Sequence, residues 1–121
     1  MNPFFKYLTK EDHLQHMVML YLQTQYPKAY SIHCANEGKR TPFERFKFKY
    51  LGGASGIPDV LVFHQNQFSC GLAIELKVGS NKPTKNQQDA LKRLKMANWE
   101  ALWVNSFEEA KQVIDKYFNN A

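Results

Sequence analysis

Two acidic residues and a lysine flank a short apolar segment in the middle of the chain. Asp59 ends the motif Gly-Ile-Pro-Asp at residues 56–59, and Glu75 and Lys77 follow that segment as Glu-Leu-Lys. Carboxylate oxygens are ligands of the kind that Mg²⁺ prefers. A lysine beside them can orient a water or stabilise negative charge on a phosphate. The pattern predicts a metal-dependent nuclease that hydrolyses phosphodiester bonds.

The strands predicted around these residues determine whether their side chains meet. We expect one strand over residues 59–64 and a second over residues 71–78, joined by a turn at residues 65–67. Side chains alternate between the two faces of a strand, so Glu75 and Lys77 must share a face. Asp59 opens the neighbouring strand, which places its carboxylate near theirs.

Each of these features has an ordinary structural explanation when it is taken alone. An aspartate after Gly-x-Pro is common in turns, and a Glu-x-Lys pair on a strand often lies exposed in water. An acid, a buried strand, a hairpin and a second acid with its lysine rarely coincide by chance. Their combination favours the functional interpretation.

The remaining elements follow from capping motifs and hydrophobic periodicity. Thr9 is expected to cap a helix that buries Leu14, Val18 and Leu22 and carries Glu11 in its first turn. Further capping boxes begin at the three residues that open the later helices: Thr41, Thr84 and Ser106. The helix after Thr84 is expected to turn Leu91, Leu94 and Ala97 inward, with Gln87 on the inward edge of its first turn.

These helices alternate with strands predicted over residues 29–35, 59–64, 71–78 and 100–104. The order is helix, strand, helix, strand, strand, helix, strand, helix. It predicts an α/β fold in which helices flank a mixed sheet. A length of 121 residues predicts one domain over residues 1–121, and an apolar content of 44% is sufficient for a packed core. The many phenylalanines, with Trp99 and Trp103, are expected to lie mostly in that core.

Composition also bounds the protein's location. No apolar segment approaches the roughly 20 residues of a membrane helix, and no secretory signal is present at the start. Cys34 and Cys70 lack metal-site or disulfide spacing, so we expect two reduced, buried thiols in a cytoplasmic protein.

A net charge of +5 favours a polyanionic partner, and the basic residues are clustered. One cluster precedes the acidic motif, and the other begins at its lysine. The first contains Lys39, Arg40, Arg45, Lys47 and Lys49; the second contains Lys77, Lys82, Lys85, Lys92, Arg93 and Lys95. Both flank the positions where phosphates would lie.

Two other groupings predict chemistry less well. His13 and His16 have a ligand-like spacing, but no second pair of zinc ligands accompanies them. His33 and the adjacent Cys34 would point to opposite faces of a strand, which is unsuitable for a nucleophile and its base.

The acidic motif and its surroundings resemble the VRR-NUC (virus-type replication-repair nuclease) family of the PD-(D/E)XK nuclease superfamily. The similarity extends from about Glu11 to Tyr117. It is carried by the motifs at residues 33–40, 56–59, 71–77 and 82–87. The resemblance implies the restriction-endonuclease-like αβββαβ core, in agreement with the predicted element order. The stand-alone members that it resembles are phage or prophage proteins, which implies the cytoplasm of a bacterial host.

The resemblance also implies roles for individual residues. Asp59 and Glu75 would bind Mg²⁺ or Mn²⁺, with the Leu76 carbonyl as a third ligand and Glu11 reaching the metal through water. Lys77 would be the catalytic lysine, and Gln87 would position the site or the DNA. Asn36 and Glu37 would support the site. The expected DNA-binding residues are Lys39, Arg40, Lys82, Lys85 and Lys92.

The implied activity is that of an endonuclease that cuts branched DNA, in the manner of a Holliday junction resolvase, as a homodimer with no small-molecule cofactor. Two alternatives stay open on sequence alone. One is a general nicking, flap-cutting or restriction-like endonuclease, which would use the same residues. The other is a DNA-binding subunit without turnover.

Overall fold

Four strands form one mixed sheet in the order β1-β2-β3-β4. The structure is a computed structural model that describes residues 2–34 and 40–120. The strands are β1 (Tyr30–His33), β2 (Val60–Phe63), β3 (Leu72–Leu76) and β4 (Glu100–Val104). Strand β2 is antiparallel to both β1 and β3, whereas β4 runs parallel to β3. This arrangement confirms the predicted mixed sheet.

The described residues also form four α-helices, preceded by a short 3₁₀ helix over Pro3–Tyr7 that the sequence analysis did not predict. The α-helices are α1 (Lys10–Gln25), α2 (Pro42–Tyr50), α3 (Lys85–Met96) and α4 (Phe107–Asn119). Complete capping boxes form at Thr9, Thr41 and Thr84. Ser106 accepts from the Glu109 N–H, but the Glu109 side chain accepts from Asn105 instead of returning to Ser106. The predicted element order is confirmed.

The two faces of the sheet pack against different helices. On one face, α1 and α4 cover the larger cluster, which contains Val18, Ile74 and Ile114. On the other face, Leu91 of α3 packs with Leu61, Ala73 and Ala101. Strand β3 lies between these layers and is buried along its whole length.

Several predictions of burial were wrong. Ala97 is exposed because α3 ends at Met96, and the chain then turns through Asn98 with a positive φ of 66°. Cys70 is exposed and Cys34 half-buried, and both are free thiols. No phenylalanine is fully buried, and six are exposed: Phe4, Phe5, Phe43, Phe46, Phe63 and Phe68. Trp99 is half-buried, and Trp103 is exposed.

The helices of residues 2–34 and 40–120 include none that is long and apolar enough to cross a membrane.

A partly buried hydrogen-bond network joins helices α1 and α4, in addition to their apolar packing. The hydroxyls of Tyr21 and Tyr26 both donate to Oδ1 of Asp115, at 2.6 and 2.7 Å. The hydrogen bond from Tyr21 holds the pKa of Asp115 below its usual value. The hydrogen bond to Asp115 raises the pKa of Tyr21 to about 12. For Tyr26, burial is the main cause and its own hydrogen bond to Asp115 the second, and together they raise its pKa to about 12. The ionised carboxylate therefore stabilises the contact between the two helices.

We predict that Asp115→Asn lowers the free energy of unfolding at pH 7 by about 1 kcal/mol, because two charge-assisted hydrogen bonds become neutral ones. A carboxyl whose pKa is depressed by folding contributes stability above its unfolded pKa, and that contribution is lost as the pH falls through its folded pKa. The difference between wild type and variant should therefore narrow as the pH falls below roughly 4. Urea unfolding at pH 7 and at acidic pH checks this, and a difference that widens in acid would contradict it.

Candidate active site

Three carboxylates from three different elements meet at one edge of the sheet. Glu11 lies in the first turn of α1, Asp59 immediately before β2, and Glu75 in β3. One carboxylate oxygen from each lies within 4.8 Å of the others. Asp59 and Glu75 are only 4% and 1% exposed, and Glu11 is half-buried. The structure thus brings together the three acids that the sequence analysis selected as metal ligands.

The sheet register explains how residues far apart in sequence reach one site. Val60 lies opposite Ile74 in the antiparallel pair of β2 and β3. Because the strands are antiparallel, Asp59, which precedes Val60, lies opposite Glu75, which follows Ile74. Helix α1 packs on the same sheet through Leu14 and begins at this edge, which brings Glu11 to the two buried acids.

Asp59 is held through both its side chain and its backbone. Its Oδ2 accepts a buried hydrogen bond of 2.8 Å from the Leu76 N–H. Its carbonyl oxygen accepts from the Cys34 N–H at 2.8 Å and lies 3.0 Å from Nδ1 of His33. Contacts from β3 and from the end of β1 therefore fix the position of this carboxylate.

The contacts of His33 and Cys34 were missed by the sequence analysis, which considered these residues only as a poor nucleophilic pair. The pairing of β1 with β2 places them beside Asp59. Burial, and then the negative charge of Asp59, raises the pKa of the Cys34 thiol, which keeps it protonated. The structure therefore supports a positioning contact and no thiolate chemistry at Cys34.

Lys77 carries the positive charge next to these acids. Its Nζ lies 3.3 Å from Oε2 of Glu75, and its side chain is only 12% exposed. Its backbone N–H donates to the Val104 carbonyl, which extends the pairing of β3 with β4. The shared face of Glu75 and Lys77 agrees with the predicted alternation.

The charge balance of the site fits a divalent cation. With all three carboxylates ionised, the described residues Glu11, Asp59, Glu75 and Lys77 would carry two net negative charges in a largely buried place, which is costly without a counter-charge. Carboxylate oxygens are hard donors that suit Mg²⁺, Mn²⁺ or Ca²⁺. The donor set is therefore suitable for a metal of this class.

Gln87 occupies the first turn of α3 and is half-buried. Its Oε1 accepts from the Thr84 N–H at 2.9 Å, so the contact that the structure gives this side chain is the helix cap. Leu76, whose carbonyl is the expected third ligand, is buried in β3. Catalytic and ligand roles for both residues stay predictions.

The predicted DNA-binding residues lie in several places. Lys82, Lys85 and Lys92 are exposed, and Lys85 pairs with Asp89 at 3.7 Å. Arg40 places its guanidinium over the Phe48 ring, 3.9 Å from the ring centroid. Lys39, Asn36 and Glu37 lie outside the described residues. His13 and His16 are exposed on α1.

Comparison with solved structures identifies proteins of similar fold. A solved structure titled "VRR_NUC domain protein" matches with a TM-score of 0.80 and 25% sequence identity, covering 94% of this chain and 92% of the other. This match supports membership of the VRR-NUC family. A second solved structure, titled "VRR_NUC domain", matches in fold with a TM-score of 0.59 and 21% identity over 91% and 99% of the two chains. No protein-family model and no curated protein sequence matches the chain.

The VRR-NUC match supports a nuclease of that family. It agrees with the acidic cluster, which could bind a metal ion. The sequence resemblance is therefore confirmed by structure, although the overall identity is low.

The loop that carries Asp59 is packed tightly against α3. Gly56 has a φ of 80°, and a Cβ there would lie 2.6 Å from the carbonyl oxygen of Asn86 and 2.9 Å from the backbone nitrogen of Gln87. Gly52 has a similar φ of 91°, but a Cβ there would meet nothing within 4 Å. The two glycines therefore share a backbone requirement and differ in packing.

We predict that Gly52→Ala and Gly56→Ala each lose about 1–2 kcal/mol of stability, because alanine is strained at positive φ. Gly56→Ala should lose roughly 1–3 kcal/mol more through the clash with α3. It should also accelerate hydrogen exchange at the Leu76 amide, since the loop positions the Asp59 carboxylate that accepts from it. Urea unfolding and NMR hydrogen exchange measure both effects. Equal exchange at Leu76 in the two variants would contradict the packing argument.

Proposed function

We propose that the chain is a divalent-cation-dependent DNA endonuclease that uses Mg²⁺ or Mn²⁺ and prefers branched DNA. The observation that carries the proposal is the Glu11, Asp59 and Glu75 cluster with Lys77 beside it. A VRR-NUC fold around that cluster supports nuclease chemistry. We also propose that residues 1–121 act as one domain, without a small-molecule cofactor.

The acidic residues have the role of holding the metal. Asp59 and Glu75 would bind it directly, with the Leu76 carbonyl as a further ligand and Glu11 as a direct or water-mediated one. A bound divalent cation polarises the scissile phosphate and lowers the pKa of a nearby water. The buried hydrogen bond from Leu76 holds Asp59 in place for this task before any ligand arrives.

Lys77 is the proposed catalytic lysine. Its ammonium group is held at the acidic cluster by the ion pair with Glu75, and its backbone directly follows the last residue of β3. From there it would orient the attacking water or stabilise the negative charge that develops on the phosphate in the transition state. Gln87 would position the loop and the DNA from the first turn of α3, next to Gly56.

DNA binding is proposed to use the basic residues around this edge. Lys82 and Lys85 flank the N-terminus of α3, where backbone N–H groups favour a phosphate. Lys92, Arg40 and Lys39 would extend the contact along the backbone. Release of counterions from these contacts predicts affinity that falls steeply with salt.

A homodimer is the proposed form for branched DNA. Two copies related by a two-fold axis would present two active sites to the two symmetric strands of a four-way junction. This assembly and the cytoplasm of a bacterial host of a phage or prophage follow from the family resemblance alone. A general nicking or flap endonuclease would use the same active site without the symmetric product.

We predict that Asp59→Asn and Lys77→Ala each reduce DNA cleavage about 100-fold or more, because the first removes a charged metal ligand and the second removes the positive charge proposed to act at the reacting phosphate. Lys116→Ala, which removes an exposed lysine in the last turn of α4, is the matched control and should retain full cleavage. Labelled four-way junction, flap and linear duplex DNA are incubated with Mg²⁺ or Mn²⁺, and with a chelator.

The products separate the candidate functions. Paired symmetric cuts in the junction, lost in both active-site variants, would support a junction resolvase. Equal cutting of all three substrates would leave a general endonuclease. Binding without metal-dependent cutting of any substrate would contradict the enzyme and leave a DNA-binding subunit.

A further inference from the structure

Helix α2 presents an aromatic and basic surface that the proposed active site does not use. This nine-residue helix contains four aromatic residues, and none of its residues is fully buried. Phe46 and Tyr50 are 62% and 78% exposed, and their rings stack with centroids 5.7 Å apart. Phe43, one turn earlier, is also exposed. So large an apolar surface on a short helix marks a binding site more often than a solvated face.

Positive charge surrounds these rings. Arg45, Lys47 and Lys49 lie between the aromatic residues of α2, against a single acid, Glu44. Glu44 is engaged at the helix cap through the Thr41 N–H. We name the set Phe43, Arg45, Phe46, Lys49 and Tyr50 the α2 surface. Its charge suits a polyanion, and its rings suit flat apolar groups.

Two neighbouring cavities lie between the basic side of α2, the loop before Asp59 and helix α3. A cavity of about 510 Å³ is lined by Arg40, Arg45, Phe48 and Lys49 together with residues 53–55. A second cavity of about 480 Å³ shares Ala54 and Ser55 with it and extends past Pro58 to Arg93 of α3. Pro58 directly precedes the metal-site residue Asp59. Of the α2 surface, Arg45 and Lys49 line the first cavity, so the basic side of α2 faces the loop that leads to Asp59.

We propose that the α2 surface binds unpaired bases of the DNA substrate by stacking, while its basic residues hold the adjoining phosphates. The inference rests on the proposed DNA substrate and deepens it. Base stacking on aromatic side chains next to basic residues is the general way in which proteins hold single-stranded nucleic acid, and it tolerates any sequence. Branched DNA offers such unpaired or easily unstacked bases at its branch point, whereas an intact duplex does not.

A second copy of the chain is a less favoured partner for the α2 surface than DNA. A two-fold interface would place the same patch of each copy face to face. The lysines that flank the exposed rings along α2, Lys47 and Lys49, would then approach those of the other copy, and the acid of α2, Glu44, is engaged at the helix cap. The same positive charges attract the phosphates of nucleic acid, whereas they would repel one another in a contact between two copies.

The test is equilibrium binding in the presence of a chelator, so that no cleavage occurs. Fluorescence anisotropy measures affinity for a labelled 20-nucleotide single strand and for a blunt duplex of the same length. Phe46→Ala/Tyr50→Ala should weaken single-strand binding roughly 10-fold or more, with little effect on the duplex. The slope of affinity against salt should stay unchanged, because no phosphate contact is lost.

Three variants make the result specific. Phe68→Ala removes an aromatic residue that is equally exposed, at 67%, in the turn of the hairpin at the far end from Asp59, and should change nothing. Phe46→Tyr/Tyr50→Phe keeps both rings and should retain binding. Lys49→Ala should weaken binding to both DNAs and reduce the salt slope.

Unchanged single-strand affinity in the Phe46→Ala/Tyr50→Ala variant would overturn the inference, even if the wild type cuts DNA. Single-strand binding that this variant loses would support it, even if no DNA is cut and the proposed function fails. Sedimentation velocity on the same proteins tests whether a second copy of the chain binds the α2 surface. A wild-type dimer that becomes a monomer in the variant would show a surface between copies and overturn the inference.

Discussion

The rest of the site depends on one constraint: the buried carboxylates of Asp59 and Glu75 lie side by side. Like charges in a largely buried place repel, so the chain has to hold them there by other means. The Leu76 N–H donates to Asp59, and Lys77 pairs with Glu75. Contacts from β1 fix the Asp59 backbone, and the packing of α1 brings a third acid to the same edge.

This arrangement separates the roles of the core and the surface. Strand β3 is buried on both sides and carries Glu75, so the position of that side chain depends on packing from α1, α3 and α4. Most of the described residues proposed to contact the substrate are instead exposed and lie in or just before α2 and α3. Substrate preference can therefore change through surface residues without disturbing the geometry of the metal site.

The acids and lysine of the site could be predicted because strand alternation is a strong local rule, and Asp59, Glu75 and Lys77 obey it. The capping boxes likewise specified where helices begin. Contacts of His33 and Cys34 with Asp59 could not be predicted, because they depend on the register between β1 and β2, which local patterns do not encode. Ala97 was misplaced because helical periodicity does not show where the last turn ends. The exposure of the α2 aromatics was missed because apolar residues of a helix are usually assumed to face the core.

The central claim is that Glu11, Asp59 and Glu75 are held together to receive a divalent cation. Thermal unfolding of the wild type and of Glu75→Gln, each with a chelator and with millimolar Mn²⁺, tests it most directly. Without metal, Glu75→Gln should be at least as stable as the wild type, since one buried negative charge is removed. With Mn²⁺, the melting temperature of the wild type should rise and that of Glu75→Gln should rise far less, because only a cation that binds the folded site stabilises it. A wild-type melting temperature that Mn²⁺ leaves unchanged, or an equal rise in both proteins, would contradict the account.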